Sequence, residues 1–255
     1  MMTEQPLTMV VIPTYNEREN LPLIVAELLA LPVNALQVLV VDDNSPDGTG
    51  QVADELSAQH EGVVHVLHRT EKAGLGPAYI AGFKRALALG ADYIVQMDAD
   101  FSHQPRYIPD MLAAIEGHDM VLGSRFAPGG SVDESWSFLR KLLSLWANRI
   151  YVPAILRIPL NDATGGYRLW RRETLIGIDL DTVRSNGYVF QVEMAYRAYR
   201  LGYRLTEIPI HFPDRKHGAS KMNSSIALEA ALRTLQLWWR LRGLKPDQRR
   251  TQEYA

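Results

Sequence analysis

The sequence predicts an α/β fold with a mainly parallel central sheet, on three observations. Short β-rich runs alternate with stretches of helical length through the first half of the chain. The runs TMVVI (8–12), ALQVLVV (35–41), GVVHVL (62–67) and DYIVQM (92–97) are largely apolar, as strands covered on both faces are. Polar residues crowd just after the strands, where open α/β sheets bind their ligands.

The elements follow in order. The first strand leads into Pro13-Thr14-Tyr15-Asn16-Glu17 and a helix over 18–30. The second ends at Asp42-Asp43-Asn44-Ser45, and SPDGT opens a helix over 48–60 with good turn and N-cap residues. A helix over 76–89 follows the third strand. The fourth strand runs into Asp98-Ala99-Asp100, and a helix over 105–116 precedes a fifth strand, 119–124, which ends at Ser124-Arg125. Past Pro128-Gly129-Gly130 a helix is predicted over 136–151, with Leu139, Leu142, Leu143, Trp146 and Ile150 on one face and Arg140, Lys141 and Arg149 beside them. The stretch 223–242 repeats that character, with Trp238-Trp239 among Arg233, Arg240 and Arg242. Each of these two helices is read either as core packing or as interfacial, where each basic residue near an anionic bilayer adds about 1 kcal/mol.

Composition narrows the function. The chain has 255 residues, 47% of them hydrophobic, enough for one large domain with a well-buried core. Lys+Arg 27 against Asp+Glu 29 gives a net charge of −2, so nucleic acid is a poor partner and any basic site must be local. With no cysteine, disulfides, thiolate metal sites and cysteine nucleophiles are excluded, and a reducing compartment is expected. MMTEQPLTMVVIP lacks the pattern of a signal peptide and no 18 apolar residues run uncharged, so a cytoplasmic chain that does not span a membrane is expected. Neither GxGxxG nor GxxxxGK[ST] is present.

If strand geometry continued through YIVQMDADFSHQP, Asp98 and Asp100 would project to the same side. At roughly 4–5 Å and an effective dielectric of about 20 they would repel by about 3–4 kcal/mol. A divalent cation shared with ligand phosphates offsets that repulsion; a solvated acidic turn is the simpler alternative.

An ordered series of motifs resembles the dolichol-phosphate (polyprenol-phosphate) mannose synthases, within the inverting family 2 glycosyltransferases. It comprises VIPTYNERENLPLIV (11–25), VVDDNSPDGT (40–49), EKAGLGPAYIAG (71–82), MDADFSHQP (97–105), GSRF (123–126), LRKLLS (139–144), NDATGGYRLWRRETL (161–175), NGYVFQVEM (186–194) and DRKHGASKM (214–222). The resemblance implies a glycosyltransferase A-type fold, a GDP-mannose donor, Mg²⁺ or Mn²⁺, and a polyprenyl or dolichyl phosphate acceptor. It places Pro13, Tyr15 and Glu17 in the nucleotide pocket, Asp42 and Asp43 at the base and ribose, and Lys72 in a donor-side loop. It puts Asp98, Ala99 and Asp100 at the diphosphate and metal, and Arg125, Arg140, Arg215 and Lys221 near the phosphates and the acceptor. Of these, Asp98, Asp100, Arg125 and Arg215 are the expected catalytic residues, and Arg125, Arg140 and Lys221 the acceptor-phosphate contacts. His217-Gly218-Ala219-Ser220-Lys221 departs from the family's frequent Tyr-Gly-Glu-Ser-Lys by lacking the acidic residue. The expected division is a catalytic domain over 1–222 and an amphipathic helix with a polar tail over 223–255. The expected location is the cytoplasmic face of a membrane, endoplasmic reticulum or plasma membrane according to the organism, with small membrane-anchoring subunits as candidate partners.

The chemistry agrees with these residues. A lipid phosphate, with a second pKa near about 6, is largely anionic at neutral pH and needs no strong general base. It needs cations to approach an anionic donor, and Arg forks match phosphate oxygens. Single displacement gives a β-linked product from an α-linked donor. The alternatives are glucosyl transfer from UDP-glucose to the same acceptor class and a catalytically silent membrane-associated scaffold. His103 is read as a third metal ligand or a brace of the turn, Asp162 as a substrate contact or a loop brace, and Gly74 and Gly76 as a close approach to the donor or a plain turn.

Overall fold

The computed structural model describes residues 5–213 and 224–254, apart from the side chains of residues 139, 140, 188 and 224–230. Strand and helix alternate as β1 (Thr8–Thr14), α1 (Leu21–Leu29), β2 (Leu36–Asp42), α2 (Thr49–Gln59), β3 (Val64–His68), α3 (Leu75–Ala88) and β4 (Tyr93–Gln96). A 3₁₀ turn at Pro105–Tyr107 leads into α4 (Ile108–Ala114) and β5 (Met120–Ser124). Next come β6 (Ser131–Val132), α5 (Phe138–Trp146), a π turn at Ala147–Tyr151, α6 (Val152–Leu156), β7 (Arg168–Arg171) and α7 (Arg172–Ile178). The chain then forms α8 (Gly187–Arg200), β8 (Leu205–Pro209), β9 (His211–Phe212) and α9 (Ser224–Leu241).

The main sheet has seven strands in the order β3-β2-β1-β4-β7-β5-β8. Every pairing is parallel except those of β7, which runs antiparallel between β4 and β5. Alternate residues of β1 feed two cores, as the pleat requires. Val10 and Ile12 pack with α1, α2 and α4 through Leu21, Ile24, Ala53 and Met111, whereas Met9 and Val11 pack with α3, α8 and α9 through Tyr79, Phe83, Phe190 and Leu237. The fold is the expected mainly parallel sheet between helical layers.

Three elements depart from the sequence reading. No element is predicted from sequence at 168–171, yet RLWR, with arginines at both ends, is a central strand in which Arg168 is fully buried. The predicted 136–151 helix begins at Phe138, and beyond Trp146 it passes through the π turn into α6. The extra residue of that turn carries Asn148 inward, where its side-chain amide donates to Thr164 Oγ1 at 2.9 Å and its oxygen accepts from Thr164 N at 3.1 Å. Finally, β4 stops at Gln96, two residues before Asp98, so strand alternation does not extend through the acid pair.

Candidate active site

Because β1, β2, β4 and β5 run parallel, their carboxyl ends, with Pro13, Asp42, Asp98 and Arg125, lie along one edge of the sheet. Beyond β4 the chain turns sharply, with Phe101 at φ 64. Asp100 Oδ1 accepts from Ser102 N at 3.0 Å, closing an Asx turn. His103 Nδ1 accepts from Asp98 N at 3.0 Å, which leaves the ring proton of the neutral imidazole on Nε2. The ring stacks on Tyr167 at 5.0 Å and meets Phe212 edge-on at 5.7 Å. His103 is therefore the brace of the turn. Ser102 Oγ is buried without a hydrogen-bond partner among the described residues.

Asp98 is half buried and Asp100 buried. Asp98 Oδ1 accepts from the hydroxyl of Tyr79 at 2.7 Å. Tyr79 is fully buried on α3, between Phe83 and Phe190 with ring centroids 5.6 and 5.9 Å away. Burial, then the charge and hydrogen bond of Asp98, then the charge of Asp100 push the phenol well above its ordinary pKa, so it remains a donor. Both carboxylates thus bear on one hydroxyl although the strand has ended. Two hard oxygen donors at a partly open turn fit Mg²⁺ or Mn²⁺, which often hold one or two carboxylates and take the rest of their shell from phosphates and water. Among the described residues no group of three His, Asp or Glu gathers that could hold a metal by itself.

The strand behind the motif is fixed by a buried amide network. Gln96 Nε2 donates to Gln191 Oε1 at 2.6 Å, and Trp170 Nε1 donates to Gln96 Oε1 at 3.2 Å.

Among the residues expected on the nucleotide side, Asp42 and Asp43 are both buried at the end of β2. Asp42 accepts from Ser45 Oγ at 2.6 Å and Ser45 N at 3.3 Å, bracing its own turn. Asp43 pairs with Arg69 and accepts from Gly74 N at 3.3 Å, tying β2 to the 69–74 loop. The Lys72 ammonium sits 3.3 Å above the Tyr15 ring, so two predicted donor-side residues meet. Glu17 accepts from Asn20 Nδ2 at 2.8 Å, and Glu17 N donates to Thr49 Oγ1 at 3.0 Å. Pro13 is half buried beside Val41, and Ala99 is buried. Gly74 and Gly76 allow a close approach to the 185–186 segment: a Cβ at Gly76 would lie 2.7 Å from Ser185 O, and one at Gly74, φ 99, 2.4 Å from Asn186 Nδ2. Asn186 Oδ1 accepts from Gly76 N at 3.0 Å and its Nδ2 donates to Ala73 O at 2.9 Å.

Arg125 is held by Asp162. The guanidinium donates through Nε and Nη2 to Asp162 at 2.7 and 2.6 Å, and Arg125 N donates to the same carboxylate at 2.9 Å. Asp162 is fully buried, so of its two readings the structure supports the brace. Its loop is clamped in turn by Glu207, which accepts from Asn161 N at 2.9 Å and Asp162 N at 3.0 Å. Beneath it, Arg168 donates to the carbonyls of Ala163, Gly165 and Gln191 at 2.8–3.0 Å. Burial lowers the Arg168 pKa to about 9 against the supporting charge of Asp162, and it stays cationic at neutral pH. Arg215 and Lys221, and the side chain of Arg140 on α5, lie outside the described residues.

Tyr79 and Arg168 escaped the sequence reading. Tyr79 had a signal, a polar aromatic in the Gly- and Ala-rich stretch at the start of a helix; Arg168 had none, since a lone arginine ordinarily marks solvent.

A mainly parallel sheet with carboxylates after β1 and β2 and an acid pair beyond β4 fits one class, a glycosyltransferase with an A-type fold. The chain belongs to glycosyl transferase family 2, whose model matches residues 9–178. It is 48% identical over 238 residues to the polyprenol monophosphomannose synthase of Mycolicibacterium smegmatis, covering 92% of this chain and 88% of that protein. It is 51% identical over 223 residues to the undecaprenyl-phosphate mannosyltransferase of Micrococcus luteus, covering 87% and 90%. Among solved structures, glucosyl-3-phosphoglycerate synthase from Mycobacterium tuberculosis, in complex with Mn²⁺, uridine diphosphate and phosphoglyceric acid, superimposes with a TM-score of 0.63 at 17% identity, covering 94% of this chain and 79% of that one. Mannosyl-3-phosphoglycerate synthase from Rubrobacter xylanophilus gives 0.62 at 20% identity, covering 93% and 74%. At those identities the likeness is one of fold.

Proposed function

We propose that the chain transfers mannose from GDP-mannose to a polyprenyl phosphate with inversion, giving polyprenyl phosphate β-mannose and GDP. The observation that carries this reading is identity of about half the residues, over nearly full length, to two proteins both named for mannosyl transfer to a polyprenol carrier. The site supports it through the Asp98 and Asp100 carboxylates, the one hydrogen-bonded to Tyr79 and the other to Ser102 N.

In this reading Asp98 and Asp100 hold Mg²⁺ or Mn²⁺ with the donor diphosphate. When bound, the ion supplies Lewis-acid neutralisation of the departing GDP. Tyr79 keeps Asp98 Oδ1 occupied and so orients its other oxygen. Tyr15, Glu17, Asp43 and Lys72 form the nucleotide side, and Arg125, locked by Asp162, presents a fixed positive charge beside the phosphates. Arg140, Arg215 and Lys221 supply the remaining cations. The acceptor phosphate arrives deprotonated, so no side chain has to remove a proton from it.

The enzyme acts at the cytoplasmic face of a membrane. Among the described residues no helix is long and apolar enough to cross one. Support for a surface position comes from α5, the π turn and α9, where Phe138 is 80%, Ile150 59% and Trp239 65% exposed.

Incubation with Mg²⁺ and a short polyprenyl phosphate, with GDP-mannose in one arm and UDP-glucose in another, tests the reading. Mannosyl transfer is expected from the first; turnover with UDP-glucose alone would overturn it. Absence of metal-dependent GDP binding would favour the silent scaffold instead.

A further inference from the structure

We infer that the depression between α6, α8 and α9 is a site for the phosphate headgroup of an anionic bilayer lipid; this rests on the membrane-surface position proposed above. The depression encloses about 510 Å³, and its wall includes Arg157, Tyr199, Arg200, Leu235 and Trp238, with no acidic residue among the described side chains that line it.

Arg157 is the telling residue. It caps the carboxyl end of α6 at φ 52 and ψ 34, the left-handed position that glycine usually fills. A β-carbon is disfavoured there, yet the residue is a long cation, exposed, whose guanidinium has no hydrogen bond or ion pair among the described residues. Across the depression Arg200 is fixed in place: its Nη2 donates to Leu244 O at 3.2 Å and to Arg242 O, and no carboxylate pairs with it among the described residues. Two guanidiniums without a counter-anion among the described residues, beside a tryptophan and a tyrosine, complement a phosphodiester at an interface. The same helix supplies the apolar part. Leu232, Leu235 and Trp239 follow at i, i+3 and i+7 on one face of α9 and are 55%, 45% and 65% exposed. Leu235 also lines the depression, so the headgroup site continues into an apolar edge.

The site is separate from the donor edge. Asn186, at the start of α8, holds Gly76, whereas Arg200 lies at the other end of that 14-residue helix, about 20 Å away. A phosphate bound beside Arg200 would therefore lie about 20 Å from the Asn186–Gly76 contact.

Arg157→Gly tests the inference, because glycine suits the backbone and only the cation is lost. The melting temperature should hold or rise, while co-sedimentation with phosphatidylcholine vesicles containing phosphatidylglycerol should fall about five-fold. Binding to pure phosphatidylcholine vesicles, and turnover of a short water-soluble acceptor, should match the wild type. Equal binding of variant and wild type to phosphatidylglycerol vesicles would overturn the site. Equal wild-type binding to both vesicle types would overturn it while leaving the membrane position intact, and no wild-type binding to either would remove both. Stabilisation of wild type but not variant by millimolar inorganic phosphate, without any vesicle preference, would reassign the pocket to a soluble anion and so overturn the lipid.

Discussion

Tyr79 donates its hydroxyl to Asp98 Oδ1 at 2.7 Å from a position in α3 where the ring is wholly buried between two phenylalanines. The bond reaches across the sheet edge to a carboxylate that lies beyond the end of β4, so α3 sets the direction of the first acid of the pair. Tyr79→Phe keeps the stack and deletes only the donor. Stability should fall by about 1 kcal/mol. Affinity for Mn²⁺, followed by electron paramagnetic resonance in the presence of GDP, should fall about 10–100-fold, as it does when partners that orient metal ligands are removed. An unchanged Mn²⁺ titration would show that Asp98 is oriented by other groups.

Asp100 is buried and its Oδ1 closes the turn on Ser102 N at 3.0 Å. Asp100→Ala removes the bond to Ser102 N, and the fold should survive with a loss on the order of 1 kcal/mol for it. Turnover should fall by a factor on the order of 10³ or more, because several kcal/mol of charge neutralisation at the leaving diphosphate is lost. Near-normal turnover under excess Mg²⁺ would remove the metal from the proposed mechanism.

Arg125 and Asp162 form a pair in which the acid is fully buried and the guanidinium nearly so, at 12% exposure. Asp162→Ala removes the two-pronged acceptor of Arg125 and also deprives Arg168 of its supporting anion. The expected loss is about 3–5 kcal/mol, the usual result of removing one partner of a buried pair. In a chain of this size that is a fall of roughly 10 °C in melting temperature. Arg125→Lys keeps the charge but not the two-pronged contact, and should lower kcat more than stability. A melting curve for Asp162→Ala that overlays the wild type would show that Glu207, Asn148 and Arg168 hold the 161–166 loop without the clasp on Arg125.

What was legible in the sequence follows the physics of each element. The first four strands are apolar runs, and α1 to α3 carry ordinary helical periodicity, so local pattern sufficed. The rim residues followed from the rule that loops after parallel strands bind ligands. β7 was illegible because Arg168 is satisfied by carbonyls of residues 163, 165 and 191 and Arg171 by those of residues 115 and 118, a tertiary arrangement that no window of sequence reveals. The π turn was hidden likewise, since the partner of Asn148 is Thr164, in another loop. Arg125 was legible only in part for the same reason: its type and place were readable, but its clasp by Asp162, 37 residues away, was not. In α9, Trp238 and Trp239 looked alike, yet Leu237 and Leu241 turn into the core and only Trp239 of the pair is widely exposed. Deleting 226–255 would therefore remove core residues, Tyr254 among them, so substitution of Trp239 is the cleaner probe of the surface.

Glu193 joins α8 to α9 and to the donor-side loop. Its fully buried carboxylate accepts from Arg197 Nε at 2.9 Å, Arg240 Nη2 at 2.6 Å and Ser185 N at 2.9 Å. Burial alone would raise its pKa, but Ser185, Arg197 and Arg240 together outweigh burial and hold it below the ordinary value of 4.5. A folded pKa below the unfolded one gives stability that is complete above about pH 4.5 and drains away as pH falls through the folded value. The wild type should therefore lose melting temperature steadily below that pH, whereas Glu193→Gln should start lower at pH 7 and show a flatter acid limb. Ser185 adjoins Asn186, which carries Gly76 and Ala73, so the same variant should raise the KM for the sugar donor more than it lowers kcat. Parallel acid limbs for the two proteins would place the acid-sensitive group elsewhere, and an unchanged donor KM would disconnect α9 from the loop that carries Lys72.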